Sequence, residues 1–172
     1  MSVRKLLAVA ALASVLPATA IAHEDHEGAF IGGGAGAARV NGGNYDGSEV
    51  GWKAFAGYDF SKYIGLEGAY NDLGNHKGKG VGDARFNVYD AALLVMLPLG
   101  GSGISLLGKG GVAFPDVSGK GADDEQAKRE GFWGAGLRAR LGDHGLGMRV
   151  EYERFRFGKN VDFPSVSLEW QF

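Results

Sequence analysis

The sequence contains no cysteine, which removes disulfide scaffolds, thiolate zinc sites, cysteine nucleophiles and lipidation of a mature N-terminal cysteine. It also lacks a basic excess. With 18 Lys and Arg against 20 Asp and Glu, a nucleic-acid partner is not expected. Proline is scarce, at 4 residues, whereas glycine reaches 31 of 172 without a Gly-X-Y period, so a collagen-like chain is excluded. That glycine density disfavours helices and suits strands with tight bends and close backbone contacts. Aromatic residues make up 11% of the chain, too many for wholesale disorder.

No run beyond the N-terminus is long enough for a transmembrane helix. Met1 to Lys5 carries Arg4 and Lys5, Leu6 to Leu16 is apolar, and Pro17 precedes small residues up to Ala22. Basic, apolar and small-residue regions in that order predict a secretory signal over residues 1–22, cleaved after Ala22, followed by one domain over 23–172. In that domain the longest apolar stretch runs only from Ala91 to Leu99. It is too short for a helix, which needs about 20 residues, but fits a tilted membrane strand of about 9–11.

Alternation with a period of two appears in five segments. Met148, Val150 and Tyr152 oppose Arg149, Glu151 and Glu153; Val166, Leu168, Trp170 and Phe172 oppose Ser167, Glu169 and Gln171. Ala135, Leu137, Ala139 and Leu141 oppose Gly136, Arg138 and Arg140, and Ile64, Leu66 and Tyr70 oppose Gly65, Glu67 and Ala69. Trp52, Ala54, Ala56, Tyr58 and Phe60 oppose Lys53, Phe55, Gly57 and Asp59. Three weaker segments complete eight predicted strands: 28–40, 49–60, 63–73, 85–98, 103–115, 130–142, 145–157 and 162–172. The glycine–alanine pattern of the first leaves its facing open.

The connections alternate in length. Residues 41–48, 74–84, 116–129 and 158–161 are longer than 61–62, 100–102 and 143–144. An even strand number with alternating short and long connections predicts an all-β, eight-stranded antiparallel up-and-down transmembrane barrel. Export through the periplasm would place the protein in the cell outer membrane with the longer connections outside.

Charge cost sets the facing, because Lys or Arg against lipid at the midplane costs about 2–4 kcal/mol. The apolar faces are therefore expected outward, and Lys53, Lys109, Arg138, Arg140 and Arg149 inward with Asp59, Glu67, Asp90, Glu151, Glu153 and Glu169. Five cations nearly balance six carboxylates, as a buried network requires. Tyr58, Phe60, Tyr63, Trp133, Phe155, Phe157, Trp170 and Phe172 are expected in interfacial girdles. A soluble barrel would invert this facing.

Gly51 to Gly74, GWKAFAGYDFSKYIGLEGAYNDLG, resembles the second strand, turn and third strand of OmpA-like small outer-membrane barrels. Met148 to Gly158, MRVEYERFRFG, resembles their seventh strand. The end, SVSLEWQF, is similar to the C-terminal strand recognised by the outer-membrane assembly machinery, with Leu168, Trp170 and Phe172 at its apolar positions and Ser167 where glycine is usual. The resemblance implies interior ion pairs at Glu67, Lys109, Arg149 and Glu151. Ending at Phe172, the sequence is expected to lack the peptidoglycan-binding domain of the longer members.

An enzyme is not expected. Lipid A deacylases of similar architecture use a His-x-Ser pair on a strand, and none of His23, His26, His76 and His144 has serine two residues on. The palmitoyl-transferring type begins with an amphipathic helix, for which His23 to Glu27 leaves no room. His23-Glu-Asp-His26-Glu is the best metal candidate, but a short solvated tail closes no coordination sphere. The mixed-charge stretch 119–130 lacks calcium-loop spacing, and Gly32 to Gly36 lacks the lysine and helix of a phosphate loop. His76, Lys77 and Lys79 suit anionic sugar or phosphate, or simply solvent. The expected protein is a monomer without cofactors, in contact with outer-membrane lipids and lipopolysaccharide, with its lumen plugged by charge. A structural or surface-interaction role is expected ahead of a narrow gated ion channel or an adhesin.

Overall fold

A computed structural model describes residues 27–41, 47–78, 82–119, 129–142, 144–156 and 160–172. The proposed signal segment, His23, His26, Lys79 and Phe157 lie outside the described residues, and nothing is described of the His76 and Lys77 side chains. Eight strands follow one another: β1 (Gly28–Asn41), β2 (Gly47–Asp59), β3 (Ile64–Gly78), β4 (Gly82–Pro98), β5 (Ile104–Gly119), β6 (Glu130–Arg140), β7 (Leu146–Arg156) and β8 (Asn160–Gln171). Each pairs antiparallel with its sequence neighbour, and β1 pairs with β8, closing the barrel. Closure joins the first and last strands, so the cylinder has no open sheet edge along its shared length. The last backbone amide, Phe172 N–H, donates to the Ala29 carbonyl across the seam at 2.9 Å.

The short turns are built by local chemistry. Ser61 Oγ accepts from the amides of Tyr63 and Ile64, each at 3.2 Å, and pins the β2–β3 turn. Gly142 and Gly145, with φ of 77° and 78°, flank the β6–β7 turn in the left-handed region that other residues avoid.

At the opposite end the ladder runs farther than alternation indicated. Residues 74–84 were expected as a connection, yet β3 continues to Gly78 and β4 begins at Gly82. β5 likewise extends to Gly119. A bulge between Asp72 and Asn75 marks the change, with Gly74 N–H donating to Asp72 Oδ1 at 3.0 Å. Beyond it the apolar and polar alternation of the sequence fades, while backbone pairing continues regardless of side chain.

Facing follows strict parity. Leu168, Val150 and Leu137 are 56%, 47% and 45% exposed, whereas Arg149 and Glu67 are 0% and 1%. That is the arrangement expected of a membrane barrel, not a soluble one. β1, left open by its sequence, turns Phe30, Ala38 and Val40 inward and Ile31 outward. Phe155 corrects one expectation. It is fully buried and stacked on Phe132 inside the barrel, ring centroids 5.1 Å apart, so it belongs to no outer girdle. Its odd number places it with Arg149, Glu151 and Glu153, so strand parity overrules the attraction of a terminal aromatic to the interface.

The first pair of strands packs by reciprocal aromatic-over-glycine contacts. Phe30 lies opposite Gly57 and Phe55 opposite Gly32. A methyl group on Gly57 would stand 2.3 Å from Phe30 Cζ, and one on Gly32 2.3 Å from Phe55 Cζ. Gly57→Val should therefore destabilise the barrel by about 1–3 kcal/mol through overpacking. Urea unfolding of refolded protein in micelles, followed by the heat-dependent gel shift, measures this; an unchanged midpoint would refute the packing argument.

Candidate functional site

The interior is one chain of alternating charge running along the barrel. At the short-turn end Arg138 Nη1 meets Asp59 Oδ2 at 2.7 Å and its Nε meets Glu169 Oε1 at 2.5 Å. The other oxygen of Glu169 takes Arg149 Nε at 2.6 Å, and Arg149 Nη1 reaches Glu67 Oε2 at 2.5 Å. Glu67 Oε1 binds Lys109 Nζ at 3.0 Å. Lys109 Nζ also approaches Glu153 at 2.5 Å and Glu151 at 3.3 Å, and both carboxylates are shared with Lys53 Nζ at 3.0 and 2.5 Å. Four cations are thus interleaved with five carboxylates, all sealed from solvent. Each cation has a carboxylate on two sides, the geometry that offsets the loss of hydration.

The strands position these groups by register. Glu67 on β3 and Lys109 on β5 sit on either side of β4, where Ala92, opposite Glu67, is a small inward residue between them. Gly134, opposite both Lys109 and Glu153, keeps that wall open: a Cβ there would approach Lys109 Cγ at 3.1 Å and Glu153 Cγ at 3.2 Å. Aromatic faces complete the cation shells. The Arg149 guanidinium lies 4.7 Å from the Phe30 ring and 4.6 Å from the Phe55 ring, and Lys53 lies 5.4 Å from Phe55.

Of the eight proposed network residues, the structure brings Lys53, Glu67, Lys109, Arg138, Arg149, Glu151 and Glu169 together. Arg140 stands half-buried at the mouth, where Gln171 Oε1 accepts from Arg140 Nη2 at 2.9 Å and Gln171 Nε2 donates to Asp59 Oδ2 at 3.2 Å. The β6 ladder ends at Arg140. Glu153 and Asp59 have network contacts as close as the proposed set. Asp90 stands apart, held by Asn71 Nδ2 at 2.7 Å and not by a cation.

Alternation alone did not locate Asn71, or the apolar part of the lumen. Phe30, Phe55, Leu94, Met96 and Leu107 pack around the lower network. Leu73, Val88, Phe132, Phe155, Val161 and Phe163 fill the barrel above it. Parity along each strand was the available signal, masked by the assumption that apolar residues belong outside. The lumen is closed by charge at its centre and by hydrocarbon on both sides. Among the described residues no group of three or more His, Asp or Glu could hold a metal.

The outer surface carries the remaining proposed residues. Leu168, Trp170 and Phe172 project from β8 with exposures of 56%, 43% and 69%. Trp52, Tyr70 and Tyr89 form a ladder across β2, β3 and β4, with ring centroids 5.3 and 5.0 Å apart. Above it Arg85 pairs with Asp72.

A closed antiparallel barrel, apolar outside and charged within, defines the class of integral outer-membrane barrels. The chain belongs to the outer membrane protein β-barrel domain family, whose profile matches residues 8–172. That match begins within the proposed signal segment. Solved structures share the fold at low identity. Neisserial surface protein A is 12% identical with a TM-score of 0.68, covering 87% of this chain and 100% of that one. The N-terminal β-barrel domain of Pseudomonas aeruginosa OprF is 12% identical with a TM-score of 0.61, over 86% and 100%. Ail, the attachment invasion locus protein of Yersinia pestis, solved with the heparin analogue sucrose octasulfate, is 16% identical with a TM-score of 0.59, over 86% and 99%. The outer membrane enzyme PagL is also similar, 11% identical with a TM-score of 0.53, over 83% and 99%. No curated protein sequence matches the chain significantly.

Glu67 bridges Lys109 and Arg149, so its loss leaves two buried cations short of a partner. Glu67→Gln should cost about 3–5 kcal/mol, read as a lower urea midpoint in micelles. A midpoint within error of wild type would show that the network contributes nothing to stability.

Proposed function

We propose that the protein is exported through the periplasm and resides in the cell outer membrane as a monomeric, non-enzymatic barrel with a structural or surface-interaction role. The observation that carries this reading is the lumen, where among the described residues the paired charge chain is packed between two apolar layers. Function then falls to the outside: to the belt that meets outer-membrane lipids and lipopolysaccharide, and to the connections at the end opposite the short turns. Ail, an attachment invasion locus protein, supports surface interaction as a use for this fold. Leu168, Trp170 and Phe172 present the outward apolar pattern through which the assembly machinery would engage the chain before closure.

A folded barrel should migrate differently on gels with and without boiling and should fractionate with the outer membrane; recovery as a dissolved species would end the proposal. A narrow gated channel is the rival reading. In planar bilayers the plugged barrel should give no sustained conductance, while Glu67→Gln, by freeing Lys109 and Arg149, should raise the frequency of brief openings. Steady wild-type currents would favour the channel.

A further inference from the structure

The exterior of the barrel is electrostatically lopsided at the upper edge of its apolar belt. On β1, β8, β7 and β6, one row of register partners reads Arg39, Asp162, Arg154 and Trp133. Arg156 stands two residues farther along β7 on the same face. Three guanidinium groups therefore accompany a single carboxylate on this described surface. On the opposite side the row reads Asp72, Asn87 and Asp116 across β3, β4 and β5, with Arg85 paired to Asp72.

The basic sector is a built surface, not a scatter of side chains. Arg154 is clamped: its Nε donates to Asp162 Oδ1 at 2.6 Å, and its Nη2 donates to Asp162 Oδ2 at 3.1 Å and to Tyr152 OH at 2.7 Å. Its guanidinium also lies 5.9 Å from the Trp133 ring and 5.7 Å from that of Tyr152. Asp162 is engaged by that clamp, whereas Arg39 and Arg156 are exposed.

Height selects the occupant. Eight residue steps separate Asp162 from Trp170 on β8; at about 3.3 Å per step and a tilt of about 40°, the row lies roughly 20 Å above the lower aromatic girdle. Hydrocarbon-facing bands of such barrels are about 25 Å tall, so the row sits just inside the upper edge of the band and its long arginine side chains can extend up to the headgroup phosphates. Val150 and Val166, 47% and 53% exposed, continue directly below on the same strands and offer the surface for acyl chains. A soluble sulfated or phosphorylated glycan would need the cations at the loop tips, clear of that belt.

We propose that Arg39, Arg154 and Arg156 form a binding site for a phosphorylated glycolipid of the outer leaflet, with phosphate on the guanidinium groups and acyl chains along β7 and β8. The site takes one lipid class on one sector of the barrel and leaves the acidic sector unoccupied by it. It rests on the outer-membrane reading above. Guanidinium suits this task because its fork of donors can bind a phosphate through two oxygens at once.

The test uses the full barrel refolded in detergent micelles, with lipid retention counted by native mass spectrometry. Probes are diphosphoryl lipid A, the same lipid with both phosphates removed, and sucrose octasulfate. Wild type should hold the diphosphoryl form about tenfold or more tightly than the dephosphorylated one. The double variant Arg39→Gln/Arg156→Gln, which leaves the Arg154–Asp162 clamp intact, should lose about tenfold, and Arg39→Lys/Arg156→Lys should recover part of it. Arg85→Gln, on the acidic sector, should bind as wild type does. Indifference to the phosphates, full retention by the glutamine variant, or equal loss in Arg85→Gln would overturn the site. Sucrose octasulfate binding as tightly as lipid A would overturn it in favour of a soluble glycan. The heat-dependent gel shift is read for every variant. If wild type lacks the shift, the barrel reading itself fails; if the shift persists while lipid preference is absent, only the site fails.

Discussion

Two dielectric demands meet in a single wall of residues. Hydrocarbon outside tolerates neither an unpaired amide nor an ionised side chain, so the backbone must close on itself and charges must leave the outer face. The eight-strand cylinder that satisfies this is narrow, with an interior just wide enough for side chains. Charges turned inward therefore cannot remain hydrated and must find one another. The chain from Asp59 through Arg138, Glu169, Arg149, Glu67 and Lys109 to Lys53 is the consequence. Every link but Glu169–Arg149 joins strands that are not sequence neighbours, so the network is tertiary.

Such a network is a weak source of net stability, because desolvation consumes much of the Coulomb gain. Its stronger effect is on register. A one-residue slip of any strand exchanges its faces; for β3 it would expose Glu67 to lipid and bring Leu66 into the charged layer. Hydrocarbon penalises the first change and the orphaned lysine and arginine penalise the second. The aromatic-over-glycine pairs of β1 and β2 add a steric check in the segment where glycine and alanine carry little alternation.

The two ends of the cylinder differ physically. At one, four- and five-residue connections with left-handed glycines join the strands. At the other, β3, β4 and β5 continue as ladder beyond the bulge at Asp72, and the outer surface changes from apolar to ionised. The lopsided distribution of arginine and aspartate around that edge gives an otherwise uniform cylinder a direction within the plane of the membrane.

Much of this was legible in the order of residues. Alternation in five segments and the charge penalty in lipid indicate the strands and which residues of each strong strand face outward. Those are local or additive properties, and a single chain carries them explicitly. The expected alternation of connection lengths does not survive, since the 79–81 and 157–159 connections are shorter than 60–63, 99–103 and 141–145. The facing of β1, the continuation of β3 to Gly78, the inward position of Phe155 and the half-wetted position of Arg140 needed the folded cylinder. So did the partner of every charge. Alternation says that Lys109 points inward, but the choice among Glu67, Glu151 and Glu153 depends on the relative heights of β3, β5 and β7 around a closed wall. Those heights follow from register summed over all eight pairings, a quantity that no single segment contains.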